Sequence, residues 1–453
     1  MTTAFNDLPG EILTKIINFV WSSVGTYDFF RGKHITFFIS RDPTFIQLRL
    51  VSKRFHYAVT PIVFSSFYAR MDAPSTKHEF PGLIEAVEQT RATFESGNAT
   101  IFYHVKRLEI ITRRSFGSQR PWFELFQALL PIMINVYNVE WDHQLPSSDP
   151  NDDRVRGSYP DGVIENMLQS VGALPKLKEL HLRFSGVGAN PATDVHLEPV
   201  AALSTLEVIW DHTHSPDPGT LPQISALLAR CPEIKIFSFN ARYPGPKPFG
   251  LKNDRFIRLE QLFEETSSLS TTLRLRSLEL KGVIVSSFEW RGCMPHFRFL
   301  ETLIMRLDPS TQAAINIGEV LIALSEQQIY LREIDIDALH HPAVIDYLSS
   351  YSGLEKLAMR PRFLLDNSVE LVHRFFSTVL SRHANSLKSL RIGCNIPTAW
   401  SRVGGAEQLS QLASCQQLEH LFYWVSVTAE DVAVDHAHIL VSSQFMDGAT
   451  SNS

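Results

Sequence analysis

Residues 275–280 read LRSLEL, and residues 387–392 read LKSLRI. Both are a hexad of leucine, two polar residues, leucine or isoleucine, any residue and an apolar residue. The same hexad recurs as LKELHL (177–182), LSTLEV (203–208), LETLIM (300–305), LREIDI (331–336), LEKLAM (354–359) and LEHLFY (418–423). Chance would produce a pattern this strict about once in such a chain. The sequence is therefore an array of repeats.

Weaker copies of the hexad extend the array toward the N-terminus at VKRLEI (105–110), VYNVEW (136–141) and IKIFSF (234–239). The average spacing is about 31 residues, which is within the range of known structural repeats. Segments of helical periodicity lie between the hexads, at 122–130, 163–171, 221–229, 256–264, 315–324, 343–351, 369–383 and 407–413. One unit is predicted to be a helix, a loop and a short strand.

The apolar positions of each hexad alternate with polar ones, as in a strand that buries one face. One such unit cannot bury its apolar face alone, whereas stacked units share a continuous core. We therefore expect an α/β fold in which parallel strands line the inner, concave side of a solenoid and helices lie on its convex side. Residues 100 to 426 resemble the leucine-rich repeat family, whose asparagine after the strand is matched clearly at Asn395.

The first seventy residues differ from the repeats and predict three short helices. Residues 8–20, LPGEILTKIINFV, form one broad apolar stripe, with Pro9 suited to a first helical turn. A second helix is predicted to start at Asp42-Pro43 and to end at Pro61, and a short third to follow through Ile62, Val63, Phe64 and Phe67. Helices this short carry more apolar surface than they can bury among themselves.

The motifs LPGEIL (8–13) and LRLVSKRF (48–55), in that order and followed by Pro61, resemble the F-box. With the repeats, the chain is similar to the F-box and leucine-rich-repeat proteins common in fungi. The resemblance implies that the helices bind a Skp-type adaptor and, through it, a cullin scaffold and a ubiquitin-conjugating enzyme. Its implied adaptor-binding residues are Leu8, Pro9, Ile12, Leu13, Ile16, Leu50, Val51 and Phe55.

Two interpretations of the N-terminal helices stay open on physical grounds. Their excess apolar surface can pack on the first repeat of the same chain, so that they cap the solenoid. It can instead enter a groove on another protein that receives amphipathic helices. Composition alone favours the cap, because apolar helices are usually core, and the two ordered motifs favour the adaptor.

Composition and charge narrow the remaining function classes. The chain has 453 residues, of which 44% are hydrophobic and 20% charged, and its net charge is −6. Such a balance does not favour binding to nucleic acid or to an anionic membrane. Cys231, Cys293, Cys394 and Cys415 show no metal-ligand or redox spacing, and the N-terminus has no signal-peptide pattern. We therefore expect reduced thiols and a cytoplasmic or nuclear location.

Catalytic motifs are absent from the sequence. It contains no GxxxxGK[ST], HExxH or GxSxG motif and no GxGxxG after a predicted strand. Paired histidines such as His212 with His214 and His340 with His341 have no third ligand at a spacing typical of a metal site. We expect no catalytic residue, no cofactor and no metal site, and an enzyme whose site forms between repeat loops is only a residual hypothesis.

The polar hexad positions supply the candidate surface for a target protein. Their mixed charges suit partner selection and steering, but an ordinary solvated strand face has the same composition. The candidate residues are Arg107, Glu109, Glu179, His181, Arg183, Glu207, Glu279, Lys281, Arg306, Glu333, Asp335, Asp337, Lys356, Arg360, Arg391 and His420.

These predictions divide the chain into an F-box helical domain (1–70), a leucine-rich-repeat solenoid (71–428) and a C-terminal cap or disordered tail (429–453). The function they favour is substrate recognition in a Skp–cullin–F-box ubiquitin ligase, without catalysis by the chain itself. The alternative is an interaction scaffold unrelated to ubiquitin, with the first helices as its cap.

Overall fold

The three apolar positions are buried in every hexad before the last one, LEHLFY, where they are half-buried, and this burial organises the strands. In LRSLEL, Leu275, Leu278 and Leu280 are no more than 1% exposed, whereas Ser277 and Glu279 between them are partly exposed. Alternation with a period of two is the pattern of a strand with one face on a core and one face toward solvent. The predicted orientation of the hexads is therefore confirmed.

The structure is a computed structural model that describes residues 11, 15, 53–71, 92, 96, 102–112, 126–144, 163–186, 197–212, 220–242, 257–306, 317–337, 341–360, 369–393, 400 and 406–423. The chain divides into two units, Met1–Glu233 and Ile234–Ser453.

Unit 1 contains five described strands that pair in parallel and in sequence order. Its elements are α1 (Lys53–Val63), β1 (Ser66–Met71), β2 (Arg107–Thr112), a 3₁₀ turn (Leu130–Ile132), β3 (Asn138–Gln144), α2 (Val163–Gly172), β4 (Glu179–Gly186), β5 (Thr205–His212) and α3 (Thr220–Arg230).

Unit 2 repeats the same plan, with parallel strands in the order β6, β8, β10, β11, β12, β13, β14 and a separate two-stranded pair of β7 with β9. Its first half contains β6 (Ile236–Arg242), β7 (Ile257–Arg258), α4 (Leu259–Ser268), β8 (Ser277–Lys281), β9 (Val283–Ile284), α5 (Ser287–Cys293), a 3₁₀ turn (Met294–Phe297) and β10 (Thr302–Arg306). The second half contains α6 (Ile317–Glu326), β11 (Glu333–Ile336), α7 (Pro342–Ser349), β12 (Lys356–Met359), α8 (Val369–Arg374), a π-helical segment (Phe375–Leu380), α9 (Ser381–His383), β13 (Ser389–Ile392), α10 (Ala406–Ala413) and β14 (His420–Tyr423).

A repeated backbone contact sets the register between neighbouring hexads. The carbonyl of Arg332, at hexad position 2, accepts hydrogen bonds from the N–H groups of Glu355 at 2.8 Å and Lys356 at 3.0 Å, which are positions 2 and 3 of the next hexad. The same pair of bonds recurs from Lys388 and Ser389 to Glu355, and in unit 1 from Lys178 and Glu179 to Tyr137. Equivalent hexad positions are therefore aligned across adjacent strands.

The helices cover the apolar side of the strands. Phe237 of β6 meets Phe263 of α4 edge to face, with ring centroids 5.9 Å apart. Helices α4 and α6 then turn back toward the next strand through Ser270 and Gln328, which adopt φ of +54° and +56°. In both turns an N–H bonds to the carbonyl five residues earlier, a helix ending that usually uses glycine at the left-handed position.

Most of the predicted helices are confirmed, from 163–171 in unit 1 to 407–413 in unit 2. The sequence missed α5 and its following 3₁₀ turn. It also missed one hexad, FSSFYA (64–69), in which phenylalanine replaces leucine at positions 1 and 4. Phe64, Phe67 and Ala69 are buried, and the carbonyl of Ser65 accepts from Lys106 and Arg107, as in the other repeats.

Two predictions for the N-terminal helices are wrong. The short third helix through Phe64 and Phe67 is absent, because the chain enters β1 at Ser66 and pairs with β2. Pro61 does not end the preceding helix, since α1 continues to Val63. A proline in the last turn loses only its own backbone donor, and the N–H of Phe64 still bonds to the Thr60 carbonyl at 3.0 Å.

Two buried histidines tie helices to the strand entrance of the preceding repeat. Nδ1 of His296 accepts the N–H of Leu273 at 3.1 Å, and Nδ1 of His383 accepts the N–H of Leu354 at 3.2 Å. Nε2 of His383 therefore carries the proton and donates to the Leu348 carbonyl at 2.9 Å. Burial lowers the pKa of both histidines below 6.5, so the folded chain holds them neutral.

We expect the free energy of unfolding to fall as the pH drops below 6.5, the ordinary histidine pKa. Below that pH the unfolded chain binds protons that the folded chain excludes, so this contribution is complete above pH 6.5 and is lost toward the lowered pKa. The slope is at most ~1.4 kcal/mol per pH unit for each histidine. Urea unfolding at pH 5.5 and 7.5 measures it.

The substitution His383→Gln should reduce this slope, because glutamine can accept and donate in the same two directions without titrating. His373→Gln, at an exposed position of α8, controls for the loss of a histidine. An unchanged slope in His383→Gln would contradict the assignment.

Candidate functional site

The polar side of the strands carries a series of linked ion pairs in the described part of the chain. Hexad positions 3 and 5, and the residue after the hexad, all project from this side. We call the set in unit 2 the strand face. Its charged and aromatic members are Glu279, Lys281, Arg306, Glu333, Asp335, Asp337, Lys356, Arg360, Arg391, His420 and Phe422.

Asp335 is the centre of the strand face. It is 8% exposed on β11 and lies between two arginines from neighbouring strands. Oδ2 of Asp335 accepts a hydrogen bond from Arg306 of β10 and another, at 3.4 Å, from Arg360, which follows β12. One carboxylate thus links three consecutive repeats.

The surroundings of Arg306 favour its charged form. Burial disfavours charge on Arg306, but the hydrogen bond from Arg306 to Asp335 and the nearby carboxylates of Asp335, Glu279 and Asp337 raise its pKa above its usual value. Two atoms of the cluster, Oδ1 of Asp335 and Nε of Arg306, are buried without a hydrogen-bond partner among the described residues. The cluster is therefore held by Coulomb attraction and by few hydrogen bonds.

Ion pairs extend the strand face on both sides of Asp335. Glu279 of β8 pairs with Lys281 and also accepts a hydrogen bond at 3.0 Å from the Ser238 hydroxyl of β6. On the other side, Nζ of Lys356 lies 3.2 Å from Glu333. These contacts orient the side chains, although each exposed pair contributes only ~0.2–1 kcal/mol.

The C-terminal part of the strand face is different, because its arginine pairs with a ring. The guanidinium of Arg391 on β13 lies over the ring of Phe422 on β14, with 4.8 Å from Cζ to the centroid. The two residues are register partners at hexad position 5, and Ala358 is the partner of Arg391 on the other side. The residues predicted from sequence include Arg391 but not Phe422, because they comprise only charged residues and histidines at the outward-facing positions.

Unit 1 has a second charged strand surface, which contains the candidates Arg107, Glu109, Glu179, His181, Arg183 and Glu207. Arg107 pairs with Glu140 across β2 and β3, and Nδ1 of His181 lies 2.7 Å from Glu207 across β4 and β5. Asn138 donates to Glu179 at 2.6 Å. Glu140 and Asn138 were not among the predicted residues, although both occupy outward hexad positions.

A further charge pattern runs along hexad position 2 at the strand entrances of unit 2. From β8 to β14 this position holds Arg276, Glu301, Arg332, Glu355, Lys388 and Glu419, so the sign alternates at every step. Arg276 is 3.3 Å from Glu301, and Glu355 pairs with both Arg332 and Lys388. The hydrogen bonds from Lys388 and Arg332 lower the pKa of Glu355. The hydrogen bond to Glu355 and its charge raise the pKa of Arg332.

The predicted adaptor-binding residues lie largely outside the described part of the chain. Leu8, Pro9, Ile12, Leu13, Ile16, Leu50 and Val51 are outside it, and Phe55 is described only as a backbone position of α1. Glu11, inside the first motif, and Lys15, two residues after it, are helical and exposed. In α1, Lys53, His56 and Tyr57 are exposed and Val59 and Ile62 are buried.

The described residues do not form a metal site or an activated thiol. No group of three His, Cys, Asp or Glu side chains in the described ranges could hold a metal ion. Burial and the charges of Glu289 and Glu260 raise the pKa of Cys293 to about 12, and burial raises the pKa of Cys231 and Cys415. These thiols therefore stay protonated at neutral pH and are poor nucleophiles.

Neither a family model nor a curated protein matches the chain. Among the described helices, none combines the length and the apolar character that a membrane crossing requires.

The substitution Asp335→Asn should lower the free energy of unfolding by ~1–3 kcal/mol, because it leaves two partly buried guanidinium groups without their shared anion. Glu333→Gln on the same strand should cost less than ~1 kcal/mol, because its lysine partner is exposed. Urea unfolding of the two variants gives the comparison. Equal losses would show that Asp335 is not the centre of the cluster.

Proposed function

We propose that this chain is the substrate-recognition subunit of a Skp–cullin–F-box ubiquitin ligase. The N-terminal helices would bind the Skp-type adaptor, and the strand face would bind the protein to be modified. The chain would do no bond chemistry, since its contribution is to hold an acceptor lysine near a charged enzyme elsewhere in the complex. The repeats would then be those of a leucine-rich-repeat solenoid, with the strand face on its concave side.

The observation that carries the proposal is the combination of the ordered motifs LPGEIL and LRLVSKRF with a regular array of parallel strands that presents charged side chains. The ordered contacts of the sheet support the proposed binding of a target protein by the strand face. Asp335, Arg306 and Arg360 are held by contacts between strands, so a partner would meet a preformed surface. Mixed charges of this kind select partners more than they add affinity.

The exposure of described residues near the motifs supports the first half. The N-terminal half of α1, where the second motif ends, exposes Lys53, His56 and Tyr57, the last to 75%. An adaptor-binding module needs helical surface that its own chain leaves uncovered.

The substitutions Ile12→Asp and Leu13→Asp should each abolish capture of the purified chain by a Skp-type adaptor, because a carboxylate cannot enter an apolar groove without a large desolvation cost. Lys15→Gln, at an exposed helical position outside the two motifs, is the matched control and should retain binding. Size-exclusion co-elution measures capture, and circular dichroism confirms folding. Retention of binding by both aspartate variants would refute the proposed adaptor contact.

A second function, an interaction scaffold with the N-terminal helices as its cap, is favoured by one observation. The C-terminal half of α1 is buried at Val59 and Ile62, and the strand that follows it pairs with β2. This part of the N-terminal region therefore belongs to the repeat array. The cap interpretation extends the same packing to residues 1–52.

Removal of residues 1–52 distinguishes the two functions. If these residues bind an adaptor, the shortened chain should keep its melting temperature within a few degrees and lose adaptor capture. If they cap the array, it should melt well below the full chain or aggregate, because an apolar face becomes exposed. Differential scanning calorimetry of both chains measures the difference.

A further inference from the structure

The last three strands of unit 2 carry cations without anions. The outward positions of β12, β13 and β14 hold Lys356, Ala358, Arg360, Ser389, Arg391, Gly393, His420 and Phe422. Within these strands no described outward position is a carboxylate. These three strands therefore contribute positive and no negative charge to the strand face, although the chain as a whole has a net charge of −6.

Two of the three cations form ion pairs with neighbouring carboxylates, and the third, Arg391, has no described carboxylate partner. Glu333 lies 3.2 Å from Lys356, and Asp335 lies 3.4 Å from Arg360. None of the described carboxylates lies within ion-pair distance of Arg391, whose described contact is the ring of Phe422. Ala358, its register partner on β12, has only a methyl side chain and offers the guanidinium no polar group.

The Arg391 side chain is also oriented for binding. The contact with the exposed ring of Phe422 keeps the guanidinium over that ring, and its N–H donors have no hydrogen-bond partner among the described residues. Gly393 adds no side chain beside it. A Cβ at that position would meet only the Phe422 ring among described atoms, at 3.6 Å. The result is an open cationic position with an aromatic floor.

We propose that Arg391 and Phe422 receive a glutamate or aspartate side chain from an acidic segment of the target protein. Arg391 would donate two parallel hydrogen bonds to the carboxylate, and its charge would supply the electrostatic attraction. This inference rests on the proposed function for the identity of the partner as a ligase target. Its chemistry, an anion on a stacked arginine, rests on the described contacts alone.

The test uses the purified full chain and fluorescein-labelled peptides of about twelve residues, long enough to cross the three strands. One peptide carries glutamate at every third position, and the matched peptide carries glutamine there. Fluorescence anisotropy should show the glutamate peptide binding about tenfold more tightly at low salt, with the advantage shrinking in about 0.5 M NaCl. Equal binding of the two peptides would overturn the proposal.

Arginine variants separate a specific site from general attraction. Arg391→Gln should weaken glutamate-peptide binding about tenfold, or ~1.4 kcal/mol. Arg382→Gln removes the same charge from an exposed helical position in the same unit and should leave binding unchanged. Arg391→Lys should give an intermediate loss, because lysine keeps the charge without the bidentate geometry. Equal losses in Arg391→Gln and Arg382→Gln would overturn the proposal.

Adaptor capture measured on the same preparations keeps the two proposals distinguishable. Peptide binding that depends on Arg391 supports this site even in a chain that captures no adaptor. Normal adaptor capture without preference for the glutamate peptide overturns the acidic-target inference and leaves the ligase proposal standing. Tighter binding of a lysine peptide than of the glutamate peptide would also overturn it.

Discussion

The structure of each unit depends on the double hydrogen bond at the strand entrance. One carbonyl at hexad position 2 accepts from two successive N–H groups of the next repeat, and this contact recurs through both units. Because it aligns equivalent positions, it places every buried leucine of one hexad beside its counterpart in the next. The strand face exists for the same reason, since Asp335 can reach Arg306 and Arg360 only when three strands share one register.

Buried polar side chains also connect neighbouring repeats by hydrogen bonds. His296, in a 3₁₀ turn, and His383, in α9, each accept a backbone N–H of the preceding repeat, at Leu273 and Leu354. A buried N–H without a partner would cost ~1–3 kcal/mol, and each histidine removes that cost. Helix and strand are thereby joined by hydrogen bonds as well as by apolar packing.

The hexads made the strands, their parallel order and their outward residues predictable, because a period of two determines which side chains face solvent. FSSFYA was missed since phenylalanine stands where the pattern requires leucine, and α5 was missed because it has only seven residues. The capping box of Ser286 and Glu289 was a readable signal for that helix. The burial of Asp335 could not be predicted from sequence, because it depends on how the side chains of Arg306 and Arg360 on neighbouring strands are oriented.

The alternating charges at hexad position 2 constrain how such an array can change length. Loss of the repeat that contributes Glu301 would bring Arg276 beside Arg332, and loss of the one that contributes Arg332 would bring Glu301 beside Glu355. Like charges on adjacent strands are unfavourable, whereas removal or duplication of two consecutive repeats restores opposite neighbours. This half of the chain is therefore suited to grow or shrink during evolution by even numbers of repeats.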